Sequence, residues 1–209
     1  MQVGFGPEFF ARDTTVVARQ LLGLKLLKRS GRRWCGGLIV ETEAYLPEGD
    51  FASHAARGQT GGNTSMFGQP GTLYVYPIHA NHCLNMVTEA EGVGAAVLIR
   101  ALEPTDGVSQ MVKRRKTDEP RRLTSGPGML CQALGVVRRH DGDELRESAG
   151  WRLECGVTVN ADRIAAGPRI GISKSQTLPL RFFVDGNRFV SGRASDHHLP
   201  RVGSLKPIA

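Results

Sequence analysis

The feature that most constrains the fold is a pair of apolar runs set nearly back to back. Leu24 to Lys28 and Trp34 to Tyr45 both read as strands, joined by a turn at Ser30, Gly31, Arg32 and Arg33, and so short a connection links antiparallel neighbours. Three more strand patterns follow at Thr72 to Ile78, Cys83 to Thr88 and Ala95 to Ala101. Val157 to Val159, Arg169 to Ile172 and Leu180 to Val184 read as late strands, and Arg188 to Ser191 returns after a turn at Asp185-Gly186-Asn187. Helical signals are few. Asp13 is placed to cap a helix in which Val17, Leu21 and Leu22 recur at helical spacing, with Gly23 at its exit. Ser125-Gly126-Pro127 opens a second, short helix that stops at Gly135. Strands clustered beside strands, with few helices, predict an α+β fold: a single mixed domain with a mainly antiparallel sheet. That domain is expected over residues 1–191, with a polar, basic tail over 192–209.

Composition narrows the function classes. No run approaches the ~18 apolar residues of a membrane span, and Met1 to Ala11 lacks a basic start and an apolar signal core. A cytoplasmic protein with no membrane partner is expected, and nothing in the sequence requires more than a monomer. Cys35, Cys83, Cys131 and Cys155 are widely spaced and form no C-x-x-C pair, which argues for buried, reduced thiols rather than a zinc cluster or a disulfide framework. The formal net charge is +7, and a basic domain favours polyanionic partners. Lys113, Arg114, Arg115, Lys116, Arg121 and Arg122 crowd one polar stretch, read either as a phosphate-contacting surface or as a solvated loop with no partner. Leu46 to Pro70 is polar and glycine-rich, and a loop this long inside a compact domain is either functional or disordered.

Ile39 to Tyr45 is the segment richest in chemistry. On a strand, Glu41, Glu43 and Tyr45 share one face, and Val40, Thr42 and Ala44 the other. Two carboxylates beside an aromatic ring make an acid/base site or an ordinary charged strand face, and spacing does not choose between Glu41 and Glu43. Tyr74 and Tyr76 share a face of the next informative strand, as core residues or as platforms for an unstacked base. His79, Asn81, His82 and Cys83 follow closely, without the three or four ligands that a metal site needs. Arg100 sits inside an apolar strand, where a guanidinium needs a partner such as Glu43.

Several motifs carry a resemblance. Val40-Glu41-Thr42-Glu43-Ala44-Tyr45, Met66-Phe67-Gly68, Pro70 to Tyr76 and Leu98-Ile99-Arg100-Ala101-Leu102-Glu103-Pro104 are similar to the alkyladenine (3-methyladenine) DNA glycosylase family. So are Ser125-Gly126-Pro127, Leu130 to Leu134, Arg169-Ile170-Gly171-Ile172 and Pro179 to Phe183, in the family's order and across nearly the whole chain. The resemblance implies a curved antiparallel sheet and a monofunctional purine glycosylase. Such an enzyme acts on duplex DNA containing alkylated bases, and also on deaminated or etheno-modified adenine, with no metal or organic cofactor. It implies Glu43 as the base that activates water, with Arg100 and the Ile170 backbone carbonyl holding that water. It implies Tyr45, His54 and Tyr76 as walls around the flipped base, and Asn85 as the residue that disfavours guanine. Glu41 becomes an ion-pair or strand-face charge. No lysine matches a Schiff-base nucleophile.

Two departures stand out. The family places a tyrosine wedge, then Gly-Met, after the Tyr-x-Tyr strand. Here the segment is His79-Ala80-Asn81-His82, one residue shorter before Cys83. His79 takes the wedge position, with Asn81 and His82 as alternatives. Thr60-Gly61-Gly62-Asn63 replaces the family's Thr-Pro-Arg-Asn and removes one phosphate-binding side chain. Lys113, Arg114, Arg115 and Lys116 are the expected DNA-backbone contacts. Two rival readings are a non-catalytic DNA-damage binder, which does not require Glu43, and a metal-dependent hydrolase using His79 and His82.

Overall fold

The helix expected after Asp13 is present in the computed structural model, which describes residues 5–192. The tail expected over 192–209 therefore lies, beyond its first residue, outside the described residues. A short helix α1 (Pro7–Phe10) leads into α2 (Thr14–Gln20), and the Asp13 carboxylate accepts the Val16 N–H at 2.9 Å, a cap worth about 1 kcal/mol. Val17, Ala18, Leu21 and Leu22 are buried against the sheet.

The strands are β1 (Lys25–Ser30), β2 (Arg33–Tyr45), β3 (Leu73–Ile78), β4 (Asn81–Val87), β5 (Ala96–Asp106), β6 (Trp151–Glu154), β7 (Ile164–Gly167) and β8 (Arg181–Val184). They form one eight-stranded sheet in which every pair is antiparallel; the main order is β3-β4-β5-β2-β1-β6, and β8 pairs with both β2 and β7. The α+β architecture is as expected. β2 is the spine. One side pairs with β5, while the other pairs first with β1 up to Leu38 and then with β8 from Glu41 to Glu43. Gly36 and Gly37 let β2 run this close to its neighbours: a Cβ at either would lie 1.9 Å from the Leu26 or Glu103 carbonyl oxygen.

The even alternation expected along β2 is broken. The β2–β5 register shifts between Ile39 and Glu41 and again between Glu41 and Thr42. Val40 consequently packs with Ala101 and Phe189 in a separate cluster, while Ile39 and Ala44 join the main core and Thr42 donates to the Ala18 carbonyl at 2.8 Å. The irregularity adds a residue on each strand and leaves Glu41, Glu43 and Arg100 gathered together.

The later strands differ from expectation. Val157 to Val159 and Arg169 to Ile172 are not strands, nor is Arg188 to Ser191. The Val157 N–H bonds only to Gly23, and the Ile170 N–H goes to a side chain, so neither segment can run a ladder. β6 takes its place beside β1, with Trp151 buried and its Nε1–H on Asp143 at 3.0 Å. β7 reads Ile-Ala-Ala-Gly, whose small side chains carry little strand signal, and pairing with β8 decides its state.

The basic run is helical rather than a loop. Lys113, Arg114 and Arg115 lie on α3 (Val108–Arg115), Lys116 just beyond it, and Arg121 and Arg122 on α4 (Arg121–Thr124); α5 (Pro127–Leu134) packs against both helices and against β4 and β5. Cys35, Cys83 and Cys131 are buried as expected, but Cys155 is exposed, because the Cys155–Val159 stretch lies at the surface instead of in the sheet. Among the described residues, no helix is long and apolar enough to cross a membrane.

Candidate active site

β2 delivers Tyr45 to the edge of a cleft of about 860 Å³. Its opposite wall is the long loop, which is ordered by its own polar groups. Two 3₁₀ turns, His54–Arg57 and Thr64–Phe67, are tied together by Asn63. The Asn63 side-chain oxygen accepts the Thr60 N–H at 2.6 Å, and its amide donates to the His54 and Gly58 carbonyls at 3.1 Å. Asn63 thus holds the loop despite Gly61-Gly62. β3, β4 and the segment 170–174 complete the cleft, so that Tyr45, His54, Tyr76, Asn85, Arg100 and Ile170 all line it.

Glu43 lies fully buried immediately behind this lining. One carboxylate oxygen accepts the Ile170 N–H at 2.8 Å and pairs with Arg100 at 3.1 Å; the other accepts the Tyr45 hydroxyl at 2.9 Å. Glu41 is equally buried and shares Arg100, but its other partners differ. It accepts Arg100 Nε at 3.2 Å, Arg181 Nε at 2.6 Å and the Ser191 N–H at 2.8 Å. Two carboxylates and two guanidiniums neutralise one another, which is what allows four ionised groups to be buried together. Arg181 and Ser191 do not line the cleft, whereas all three partners of Glu43 do. The carboxylate nearest the cleft is therefore Glu43, and Glu41 has the ion-pair role.

The aromatic walls are electrically neutral. Burial, and then the Glu43 charge, push the Tyr45 hydroxyl pKa far up; burial does the same to Tyr76, and pushes Tyr74 up to about 12. His54 meets the Tyr74 hydroxyl at 2.7 Å through Nδ1 and packs edge-on to Tyr76 at 4.6 Å between ring centroids. Burial, then Arg57, hold its pKa below the ordinary value. For Arg100, burial alone would lower the pKa, but Glu43 and Glu41 outweigh it and the net shift is upward. The Asn85 amide donates to the Tyr74 carbonyl at 2.9 Å. The pocket sets neutral rings beside Arg100, with the buried Glu43 carboxylate behind one end and Arg57 and Lys174 at the rim.

The family model for methylpurine-DNA glycosylase (MPG) matches residues 8–188. The chain belongs to the methylpurine-DNA glycosylase family. Similar proteins named "Putative 3-methyladenine DNA glycosylase" include one from Rhodopirellula baltica, 53% identical over 203 residues covering 95% of this chain and 87% of that one. Another, from Prosthecochloris aestuarii, is 46% identical over 186 residues, covering 88% and 89%. A third, from Methanoculleus marisnigri, is 46% identical over 191 residues, covering 88% and 97%. Membership of the methylpurine-DNA glycosylase family places the chain among the DNA-repair hydrolases of base excision.

The remaining candidates from the sequence sit apart from the pocket. His79 is at the exposed tip of the β3–β4 hairpin, where Ile78 pairs with Asn81 and His79 takes a left-handed φ of 49°. Lys113 and Lys116 are exposed on and beyond α3. Arg114 turns inward, donating to the Ala133 carbonyl at 2.8 Å and to the Ser30 hydroxyl, and Arg115 donates to the Arg122 carbonyl at 3.0 Å. Among the described residues there is no cluster of three or more His, Cys, Asp or Glu placed to hold a metal.

Sequence reasoning missed the pair behind Tyr45. Arg169 and Asp50 are buried and joined at 2.5 and 2.6 Å, and the Arg169 guanidinium stacks 4.6 Å from the Tyr45 ring centroid. The only local signal was an arginine and an aspartate in segments otherwise read as strand and loop. Lys174 and Arg57, both exposed on the cleft rim, were also missed.

Proposed function

We propose that the protein binds duplex DNA containing a damaged purine, flips that nucleotide into the cleft and hydrolyses its N-glycosidic bond with water activated by Glu43. The observation that carries this reading is the convergence of Tyr45, Arg100 and the Ile170 amide on the Glu43 carboxylate, behind walls made by Tyr45, His54 and Tyr76. Flipping costs a few kcal/mol, least for damaged or mispaired bases. Neutral electron-rich rings favour the cationic charge of an alkylated purine, by about 1–2 kcal/mol when desolvated. As the base departs with the bonding electrons, positive charge grows on the sugar. Glu43 stabilises that charge and takes a proton from the water whose oxygen bonds to C1′, a general-base contribution of roughly 10²–10⁴-fold. Arg100 holds the carboxylate, and in the family's arrangement the Ile170 carbonyl shares the water. Asn85 selects against the guanine amine. Deaminated and etheno-modified adenines are included among the substrates.

The enzyme is proposed to be monofunctional and to need no cofactor. The groups around Glu43 are hydrogen-bond donors and none is an amine, while Lys174 sits exposed at the rim. We further propose that it works as a monomer in the cytoplasm, that His79 plugs the gap left in the duplex, and that exposed lysines of the basic helix meet phosphates.

The test is single-turnover excision from duplexes that each carry one candidate lesion. Glu43→Gln is expected to retain lesion binding and lose at least ~10²-fold in rate. The wild-type product is expected to be an abasic site cleaved only by added alkali. Glu41→Gln is expected to act mainly on stability. Equal rate losses per folded molecule for the two variants would overturn the assignment of Glu43, and strand cleavage without alkali would overturn monofunctional action.

A further inference from the structure

We infer that the Asp50–Arg169 ion pair is a positioning clamp that fixes both the Ile170 amide and the Tyr45 ring against Glu43. This inference rests on the reading of Glu43 as the general base. Nothing in the base chemistry itself calls for these two residues, yet they join the two walls that meet at Glu43. From the loop side, the Asp50 carboxylate accepts the Leu46 N–H and the Ala52 N–H, both at 3.1 Å, which folds residues 46–52 around it. From the other side, Arg169 immediately precedes Ile170, whose N–H reaches Glu43 at 2.8 Å.

The guanidinium binds both Asp50 oxygens, at 2.5 and 2.6 Å, and adds a 2.9 Å bond to the carbonyl of Ala44, the residue between Glu43 and Tyr45. Its central carbon also lies over the Tyr45 ring, 4.6 Å from the centroid. One rigid fork therefore sets three things: the course of β2 at Ala44, the position of the Tyr45 ring, and the backbone that presents the Ile170 amide. A planar, bidentate arginine does this where a lysine cannot. A displacement of about 1 Å at a reacting group can cost on the order of 10²-fold in rate, so a clamp of this kind acts on turnover without touching the substrate.

The experiment uses Asp50→Asn, Arg169→Gln, the double variant of both, and Arg169→Lys, all in the full chain. Each is measured by thermal unfolding, equilibrium binding to a lesion duplex, single-turnover excision, and hydrogen exchange at the Ile170 amide. Each single neutral variant leaves an unpaired buried charge and is expected to lose stability. The double variant removes both charges and is expected to regain most of the lost Tm. Its excision rate is nevertheless expected to stay down by about 10²-fold, with binding changed much less and the Ile170 amide less protected. Arg169→Lys keeps the charge but not the fork and is expected to show the same separation of rate from stability. A double variant or an Arg169→Lys enzyme that is stable and excises at the wild-type rate would overturn the clamp. So would a loss of binding as large as the loss of rate. Undiminished excision by Glu43→Gln would instead remove the general-base reading, and the two failures are distinguishable.

Discussion

Glu41 and Glu43 are two residues apart on one strand and have unlike surroundings. Glu41 is saturated by Arg100, Arg181 and the Ser191 amide, the last two away from the cleft. Breaking one partner out of a buried ion-pair network costs roughly 3–5 kcal/mol, so Glu41→Gln is expected to lower Tm by many degrees while the folded fraction still excises. Calorimetry beside single-turnover rates checks this. His54 is expected to carry a pH dependence. Its folded pKa is depressed by burial, so the unfolded chain takes up that proton first as pH falls. The stability that depends on neutral His54 is fully present above its ordinary value near 6.5 and is lost as pH falls through it. Wild-type Tm is expected to drop more steeply than that of His54→Gln between about pH 7 and about pH 5.5. Parallel slopes would show that His54 is not the titrating group.

At the scale of elements, the β3–β4 hairpin and helix α3 each split a set of candidates. The hairpin tip places His79 in the turn and leaves Asn81 and His82 in the strand, half-buried. His79→Ala is expected to slow excision from duplex DNA far more than from single strands, where no gap needs filling. Equal slowing on both substrates would move His79 out of the wedge role. His79→Tyr is expected to be tolerated, because the tip is open to solvent. On α3, Arg114 is spent on the Ala133 carbonyl and the Ser30 hydroxyl, whereas Lys113 and Lys116 are exposed. Arg114→Ala is expected to destabilise the fold. Neutralising Lys113 and Lys116 is expected to make the slope of log affinity against log salt shallower, by about 0.9 for each phosphate that is no longer neutralised. An unchanged slope would leave α3 as a solvated face.

Across the whole molecule, the site is where distant parts of one sheet converge. β2 supplies Glu43 and Tyr45, β5 supplies Arg100, β3 and β4 supply Tyr76 and Asn85, and the segment after β7 supplies Ile170. The positive charge follows the same scale: +7 summed over the chain is a long-range attraction for a polyanion. Behind the cleft, the buried network carries its own balance of two carboxylates against two guanidiniums.

Features that depend on neighbours along the chain are readable without the fold. The Asp13 cap, the hairpin of β1 and β2, the short helix after Ser125 and the shared face of Tyr74 and Tyr76 were all legible, because capping, period-two alternation and turn chemistry act within a few residues. The ordered motifs also marked out residues that now line one cleft. Tertiary structure decided what depends on partners far along the chain. The unlike surroundings of Glu41 and Glu43 rest on Arg181 and Ser191, some 140 and 150 residues on from Glu41. Arg169 to Ile172 reads as a strand, but it runs along the cleft instead, with its amide and guanidinium committed to Glu43 and Asp50. Val40 left the face of Thr42 because two register shifts against β5 intervene. A buried charge is placed by the group that compensates it, and that group is set by the fold rather than by the adjacent sequence.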